Sequence, residues 1–201
     1  MRTNLNNIQW CPGCWDFMVL AAIKKAFTDL WIKSSQRVIV SGIWCSWKIS
    51  QYIDWYAWET LHGRALPFAT WVKIARPDMH VIVIWWDWDG FWIWMWHFVH
   101  AARRNINITY LVLNNQNYWL TTGQASPSTP IWAKTKTTPN WNTLSPINPV
   151  DLAKISGALF AKNADAWDLK QLVEHIKDAI SFEWFAFLNI NQACPSFRKW
   201  D

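Results

Sequence analysis

Asp87 and Asn115 have the placement in this sequence that most suggests chemistry. Each follows an aliphatic run, Val81-Ile82-Val83-Ile84 before the first and Ile106 to Leu113 before the second, with a helical stretch, Trp92 to Arg104, between them. A strand–turn–helix–strand unit of this kind belongs in a parallel sheet, where ligands gather beyond the strand C-termini. The separation of 28 residues allows one helical crossover, which lays two strand ends side by side. A carboxylate and a carboxamide oxygen meeting there could hold a small hard cation such as Mg²⁺ against a phosphate. Taken singly, Asp87 could equally be a helix N-cap and Asn114-Asn115 a turn.

Four cysteines form the second set: Cys11, Cys14, Cys45 and Cys194. The first two make a CxxC, and each of the others follows a predicted strand, so the sheet can carry both to one edge. Four thiolates without a histidine suit zinc or a cubane iron–sulfur cluster. Spacing alone does not choose between these, or between them and thiols that are small buried hydrophobes.

The elements that must position these groups follow from periodicity and punctuation. Phe17, Leu20, Ile23, Phe27 and Trp31 recur at helical spacing, with Asp16 able to cap and the helix ending near Lys33 to Ser35. Arg37 to Ser41 is a compact strand leading into Gly42. Gln51 to Thr60 is polar–aromatic and predicted as loop. Arg64 to Ala75 is a helix with Pro67 tolerated early and Pro77 beyond its end. His80 to Ile84 and Ile106 to Leu113 are strands. Asn117 to Pro149 is a long irregular segment, the kind that is usually functional or disordered. Short helical and strand segments follow at Pro149 to Ile155 and Ala158 to Lys162. A helix at Trp167 to Ile180 and a last strand at Phe185 to Ile190 complete the set. The alternation predicts an α/β fold in three layers around a mostly parallel sheet, with residues 1–201 as a single domain on which the two cysteine segments pack.

The chain has 201 residues, enough for a sizeable core, and a formal charge of +5 without a basic block. That balance admits an anionic ligand but does not point to nucleic acid. The aromatic cluster from Trp85 to Trp96 lacks the basic interleaving of a base-stacking platform. No signal peptide or membrane span is expected, so the cytoplasm is the expected compartment, and there cysteines favour metal or redox roles over disulfides.

Composition holds one anomaly: 20 tryptophans and 6 glycines, where glycine alone is normally about 7 % of a domain. Tryptophans stand in expected turns, at Trp15, Trp44, Trp47, Trp86 and Trp88, and are expected to avoid strand interiors. An indole takes up positive φ at a cost and fills space where a turn must be tight. This pattern suggests an altered form of a glycine-rich chain.

Long segments of the sequence resemble the β subunits of 2-oxoacid:ferredoxin oxidoreductases, the 2-oxoglutarate members above all. They are WCPGC at Trp10 to Cys14, SGIxCSxK at Ser41 to Lys48, LHGRALPFAT at Leu61 to Thr70, HFVHAARRN at His97 to Asn105, NNQ at Asn114 to Gln116 and TTGQASP at Thr121 to Pro127. The resemblance implies a thiamine diphosphate-binding fold and a part in oxidative decarboxylation of a 2-oxoacid, yielding acyl-CoA, CO₂ and reduced ferredoxin. It implies that Cys11, Cys14, Cys45 and Cys194 ligate a [4Fe-4S] cluster. It further implies that Asp87, Asn115 and the Asn117 carbonyl hold Mg²⁺, and that Lys48 lies near the substrate carboxylate. His62 and the Gly123-Gln124 loop would line the cofactor or substrate side, and Asp89, the family's second aspartate in this turn, is counted with the cofactor-binding residues without a role of its own. An α subunit would supply the remaining half of the site. Trp86-Asp87-Trp88 falls on the family's Gly-Asp-Gly motif, and Trp15, Trp44, Trp47, Trp71, Trp94 and Trp119 also stand where the family tends to have glycine. Indoles there would occupy the diphosphate's volume, so the chain as written is expected to fold poorly and not to turn over. The alternative reading is a non-catalytic metal-binding or partner-binding domain that has lost its cofactor pocket.

Overall fold

Runs of β-branched and aliphatic residues build a six-stranded sheet in the computed structural model, which describes residues 9–118 and 123–196. The strands are β1 (Arg37–Ser41), β2 (Tyr56–Glu59), β3 (His80–Trp86), β4 (Thr109–Asn114), β7 (Phe160–Asp165) and β8 (Ala186–Asn191). Their spatial order is β2-β1-β3-β4-β8-β7, and every neighbouring pair is parallel. A parallel sheet needs helical crossovers that cover both faces, so its strands are apolar on both sides. Six of the seven residues of β3 and all six of β4 are buried accordingly.

Alternate residues of each strand feed two separate cores. Ile39, Ile82, Ile84, Leu111, Leu113, Leu188 and Ile190 point to the face covered by α1 (Asp16–Asp29), α2 (Cys45–Gln51) and α7 (Leu169–Ser181). Val40, Val83, Tyr110, Val112, Phe185 and Phe187 point to the face covered by α3 (Ala65–Ala75), α5 (Met95–Arg104) and α6 (Pro149–Ile155). This is the expected three-layer α/β arrangement. The caps are local: the Asn148 side chain accepts from the Val150 and Asp151 N–H groups ahead of Pro149, and Asp168 accepts from Gln171 N–H at 3.0 Å.

Four expectations need correction. The segment expected as loop contains β2, because Tyr56–Glu59 pairs along β1 although all four residues are exposed; burial, the usual signal of a strand, is absent there. The helix expected over Trp92 to Arg104 begins only at Met95, as α5, behind Trp94 in the left-handed region at φ 65°, and a separate short helix, α4 (Asp87–Phe91), precedes it. Asp16 does not cap α1; it lies inside the first turn, fully buried, and accepts a 3.0 Å hydrogen bond from Gln192 Nε2. Tryptophans do enter strands, as Trp58 in β2 and Trp85 and Trp86 in β3. Within the long irregular segment a two-stranded hairpin forms, β5 (Asn117–Tyr118) with β6 (Gln124–Ala125).

Leu111 is fully buried at the centre of β4, between two parallel neighbours. Leu111→Ala is expected to lower unfolding free energy by about 2–5 kcal/mol. Leu159→Ala, at a side chain 72 % exposed, should stay within about 0.5 kcal/mol. Urea denaturation of both variants measures the contrast.

Candidate active site at the carboxyl edge of the sheet

From β1 the chain crosses outward to β2, and then returns to place β3 on the opposite side of β1. The strand order therefore reverses between β1 and β3, and loops leaving their carboxyl ends diverge to leave a crevice. Gly42 to Trp44 leaves β1 there, and Asp87 to Asp89 leaves β3. Asn115 leaves β4, and Gln192 to Cys194 leaves β8. The register pairs Trp86 with Leu113 and Asn114 with Asn191. Asp87 and Asn115 thus emerge at adjoining strand tips on the same edge.

Asp87 is fully buried at the start of α4. Its Oδ2 accepts from Ser126 Oγ at 2.5 Å and Ser128 Oγ at 2.6 Å, while Oδ1 has no hydrogen-bond partner among the described residues. Burial pushes its carboxyl up to about 6, against the two hydroxyls, which pull it down. The Asn115 Oδ1 turns the chain by accepting from Asn117 N–H at 3.0 Å. Asn114 Oδ1 accepts from Ser128 Oγ at 2.8 Å, and its amide donates to Asn189 Oδ1 at 3.1 Å. Ser126 and Ser128 were not singled out from the sequence; their only signal was a Ser/Thr-rich turn in a long loop. On the far side of Ser126 a cleft of about 310 Å³ opens, lined among others by Phe91, Trp92, Pro127, Leu144 and Ile147.

Asp89 does a different job. Its Oδ1 accepts from Gly63 N–H at 2.9 Å and lies 2.9 Å from His62 Nδ1, and Oδ2 accepts from Ile43 N–H at 3.4 Å. One fully buried carboxylate therefore ties the loop after β1 to the loop before α3, across the crevice. Gly63 sits at φ 68°, where its backbone can turn toward that acceptor. Gly123, at φ 89°, begins the return of the β5–β6 hairpin, and Gln124 lies in β6; Trp119 lies outside the described residues.

All four cysteines line one cavity of about 30 Å³, together with Gln9, Trp86, Asn115 and Gln192. Burial raises the Cys14 thiol and pushes Cys45 up to about 12, with Asp16 adding to both. Lys48 stands on this side: its charge lowers Cys45 and Asp16, and its Nζ donates to the Gln9 carbonyl at 3.0 Å. Among the described residues, no three or more His, Cys, Asp and Glu side chains are already arranged to hold a metal ion. Four convergent thiols are nonetheless a donor set that a soft metal can close, since binding displaces the thiol protons.

The tryptophans fill the crevice. Trp88 is fully buried, its ring 5.0 Å from His62 and 4.3 Å from Tyr118 between centroids. The indole nitrogens of Trp47, Trp85, Trp86 and Trp88 are buried without a hydrogen-bond partner among the described residues, each at a cost of about 1–3 kcal/mol. A Cβ on Gly42 would lie 2.0 Å from Trp85 Cδ1 and 2.3 Å from Asp89 Oδ2, so only glycine fits at that turn. Buried indoles thus stand on both sides of Asp87, at Trp86 and Trp88.

Comparison with known proteins identifies the family. Residues 36–190 match the family described as thiamine pyrophosphate enzyme, C-terminal TPP binding domain. The 2-oxoacid:ferredoxin oxidoreductase subunit beta of Saccharolobus solfataricus is 45 % identical over 191 residues, covering 94 % of this chain and 63 % of the relative. The 2-oxoglutarate synthase subunit KorB of Archaeoglobus fulgidus is 38 % identical over 203 residues, covering 99 % and 74 %. A solved 2-oxoglutarate:ferredoxin oxidoreductase from Magnetococcus marinus, with 2-oxoglutarate, coenzyme A and succinyl-CoA bound, superimposes with TM-score 0.92 at 40 % identity, covering 95 % of this chain and 66 % of that one. The chain belongs to the thiamine pyrophosphate enzymes and, within them, to the 2-oxoacid:ferredoxin oxidoreductase β subunits. It spans a little under two thirds of the length of the first of these relatives.

Removing the Asp89 carboxylate leaves the Gly63 and Ile43 N–H groups without an acceptor. Asp89→Ala is expected to cost about 2–4 kcal/mol of stability, and Asp89→Asn, which keeps one acceptor oxygen, distinctly less. Equal losses for the two variants in chemical denaturation would remove the clamp from consideration.

Proposed function

We propose that this chain is the cofactor-binding part of a β subunit whose enzyme converts a 2-oxoacid and coenzyme A to acyl-CoA and CO₂, giving two electrons in single steps to ferredoxin. The observation that carries the reading is convergence: Asp87, Asn115 and four thiols from separate parts of the chain meet at one sheet edge, at the strand-order reversal. 2-Oxoglutarate is the favoured substrate, because the Archaeoglobus relative and the Magnetococcus structure carry that name; pyruvate is the second choice. Residues 9–196 are read as one binding unit, with an α subunit completing the site.

The donor groups suit two of the three groups that the family implies. Asp87 Oδ1, buried and without a partner, would hold Mg²⁺ with Asn115 and the Asn117 carbonyl, hard oxygens suited to a hard cation. Cys11, Cys14, Cys45 and Cys194 would hold a [4Fe-4S] cluster that accepts electrons. His62, whose Nδ1 lies 2.9 Å from Asp89 Oδ1, would serve in proton transfer through its other ring nitrogen. Lys48 would attract the substrate carboxylate from the thiol side. Gly123 and Gln124 would border the cofactor. Thiamine diphosphate is the third group, and Trp86 and Trp88 stand in its place. That obstruction favours a second reading, a metal-binding or partner-binding domain without catalysis.

Anaerobic reconstitution with iron and sulfide separates the two. The catalytic lineage expects roughly four irons per chain with matching sulfide, and Cys45→Ser should lose most of that iron. One zinc with no sulfide supports the non-catalytic domain. The chain carrying Trp86→Gly and Trp88→Gly, joined to an α subunit, should reduce a viologen dye in the presence of 2-oxoglutarate and coenzyme A. If that version neither turns over nor takes up thiamine diphosphate, the catalytic proposal fails.

A further inference from the structure

Three tryptophans hold backbone conformations that an indole-bearing residue rarely adopts. Trp31 and Trp94 sit at φ 55° and 65°, and Trp44 at φ 72°, ψ −136°, near a region essentially reserved for glycine. They account for three of the five non-glycine residues with positive φ in the described chain; the others are Asn105 and Gln116. Asparagine enters that region routinely and tryptophan does not. A second, independent set consists of Trp85, Trp86 and Trp88, wholly or almost wholly buried, each with its indole N–H unpartnered among the described residues. Buried tryptophan normally finds an acceptor for that proton. Two remaining glycines are hemmed in partly by these indoles: a Cβ on Gly63 would meet Trp94 Cδ1 and the Ile93 carbonyl oxygen, each at 2.5 Å, and one on Gly42 would meet Trp85 Cδ1 at 2.0 Å and Asp89 Oδ2 at 2.3 Å.

Trp10 is the internal control. Its Nε1 donates to the Cys45 carbonyl at 3.0 Å, and its ring packs edge-on against Phe17 and Tyr52 at 5.0 and 4.8 Å. Here the surroundings are built for an indole. At 31, 44 and 94 the backbone instead takes a conformation suited to glycine, and at 85, 86 and 88 the buried indole N–H finds no acceptor among the described residues.

We infer that residues 31, 44, 85, 86, 88 and 94 are glycine in the working protein, and that their codons are UGA read as glycine by the cell that makes it. A one-directional exchange at scattered turns is what a single reassigned codon produces. UGA differs from the glycine codon GGA only at its first base and from the tryptophan codon UGG only at its third. Glycines written with GGN codons would survive, which accounts for the 6 that remain beside 20 tryptophans. Glycine at 86 and 88 frees the volume on both sides of Asp87 and bares the backbone N–H groups of that turn. It also removes one wall of the thiol cavity, which Trp86 lines. The inference rests on backbone and packing, and does not depend on which anion the crevice takes.

The test is peptide mass spectrometry of the protein purified from cells that carry its gene natively. Peptides spanning residues 38–48 and 81–103 are expected to show glycine masses at 44, 85, 86, 88 and 94, while the peptide holding Trp10 keeps its indole. Tryptophan at 44, 86 and 88 in the native protein overturns the inference. The coding DNA gives a second readout: UGA at these positions with UGG at Trp10 is expected, and UGG throughout refutes the reassignment. A recombinant chain with Trp44→Gly, Trp86→Gly and Trp88→Gly should unfold at higher urea than the chain as written; an unchanged or lower midpoint counts against glycine at these sites. Native peptides with glycine in a protein that binds no thiamine diphosphate would uphold this inference and defeat the function proposed above.

Discussion

Parallel pairing of β3 with β1 on one side and β4 on the other is the constraint from which the site follows. Because all three strands run the same way, their carboxyl ends and the polar residues just beyond them share one edge. Because the strand order reverses between β1 and β3, the loops leaving those two strands part and leave room between them. Neither condition depends on the chemistry of the loops. Once both hold, Asp87, Asn115, Cys45 and Cys194 have no other place to go.

Burial of charge on that edge is the second determinant. Asp16, Asp87 and Asp89 are all fully buried, and an ionised carboxylate out of water must be matched by donors or by positive charge. Each solves this differently. Asp89 is supplied with two backbone N–H groups and an imidazole, and it holds the crevice walls together. Asp87 receives two seryl hydroxyls on one oxygen and leaves the other without a partner, so burial keeps its carboxyl high. Asp16 leans on Gln192, the Cys14 segment and the nearby Lys48 charge. One edge thus combines a rigid carboxylate with one whose coordination is open.

Indole packing works against this design. Stabilisation from burying aromatic area is offset where an N–H is left unpartnered, and where a turn residue carries a side chain at positive φ. The fold tolerates Trp31, 90 % exposed at a helix end, because the side chain simply projects into solvent. Trp86 and Trp88 have no such escape, since they flank the carboxylate at the floor of the crevice.

Much of this was legible before any coordinates. Aliphatic runs at Val81 to Ile84 and Ile106 to Leu113 determined buried parallel strands, and the helical periods at Phe17 to Trp31 and Trp167 to Ile180 determined the covering layer. The oxygens and thiols just past the strand ends marked the site, because period and punctuation are local properties of a chain. What tertiary structure alone decided depends on distance rather than order. It paired the exposed residues of β2 with β1, moved Asp16 from cap to buried anchor, and brought Ser126 and Ser128 onto Asp87 from about 40 residues away. It also delayed the start of the helix expected from Trp92 until Met95, past a left-handed Trp94. Side chains far apart in sequence have no periodic signature that announces their meeting; only closure of the sheet, with its fixed strand order, brings them within bonding distance.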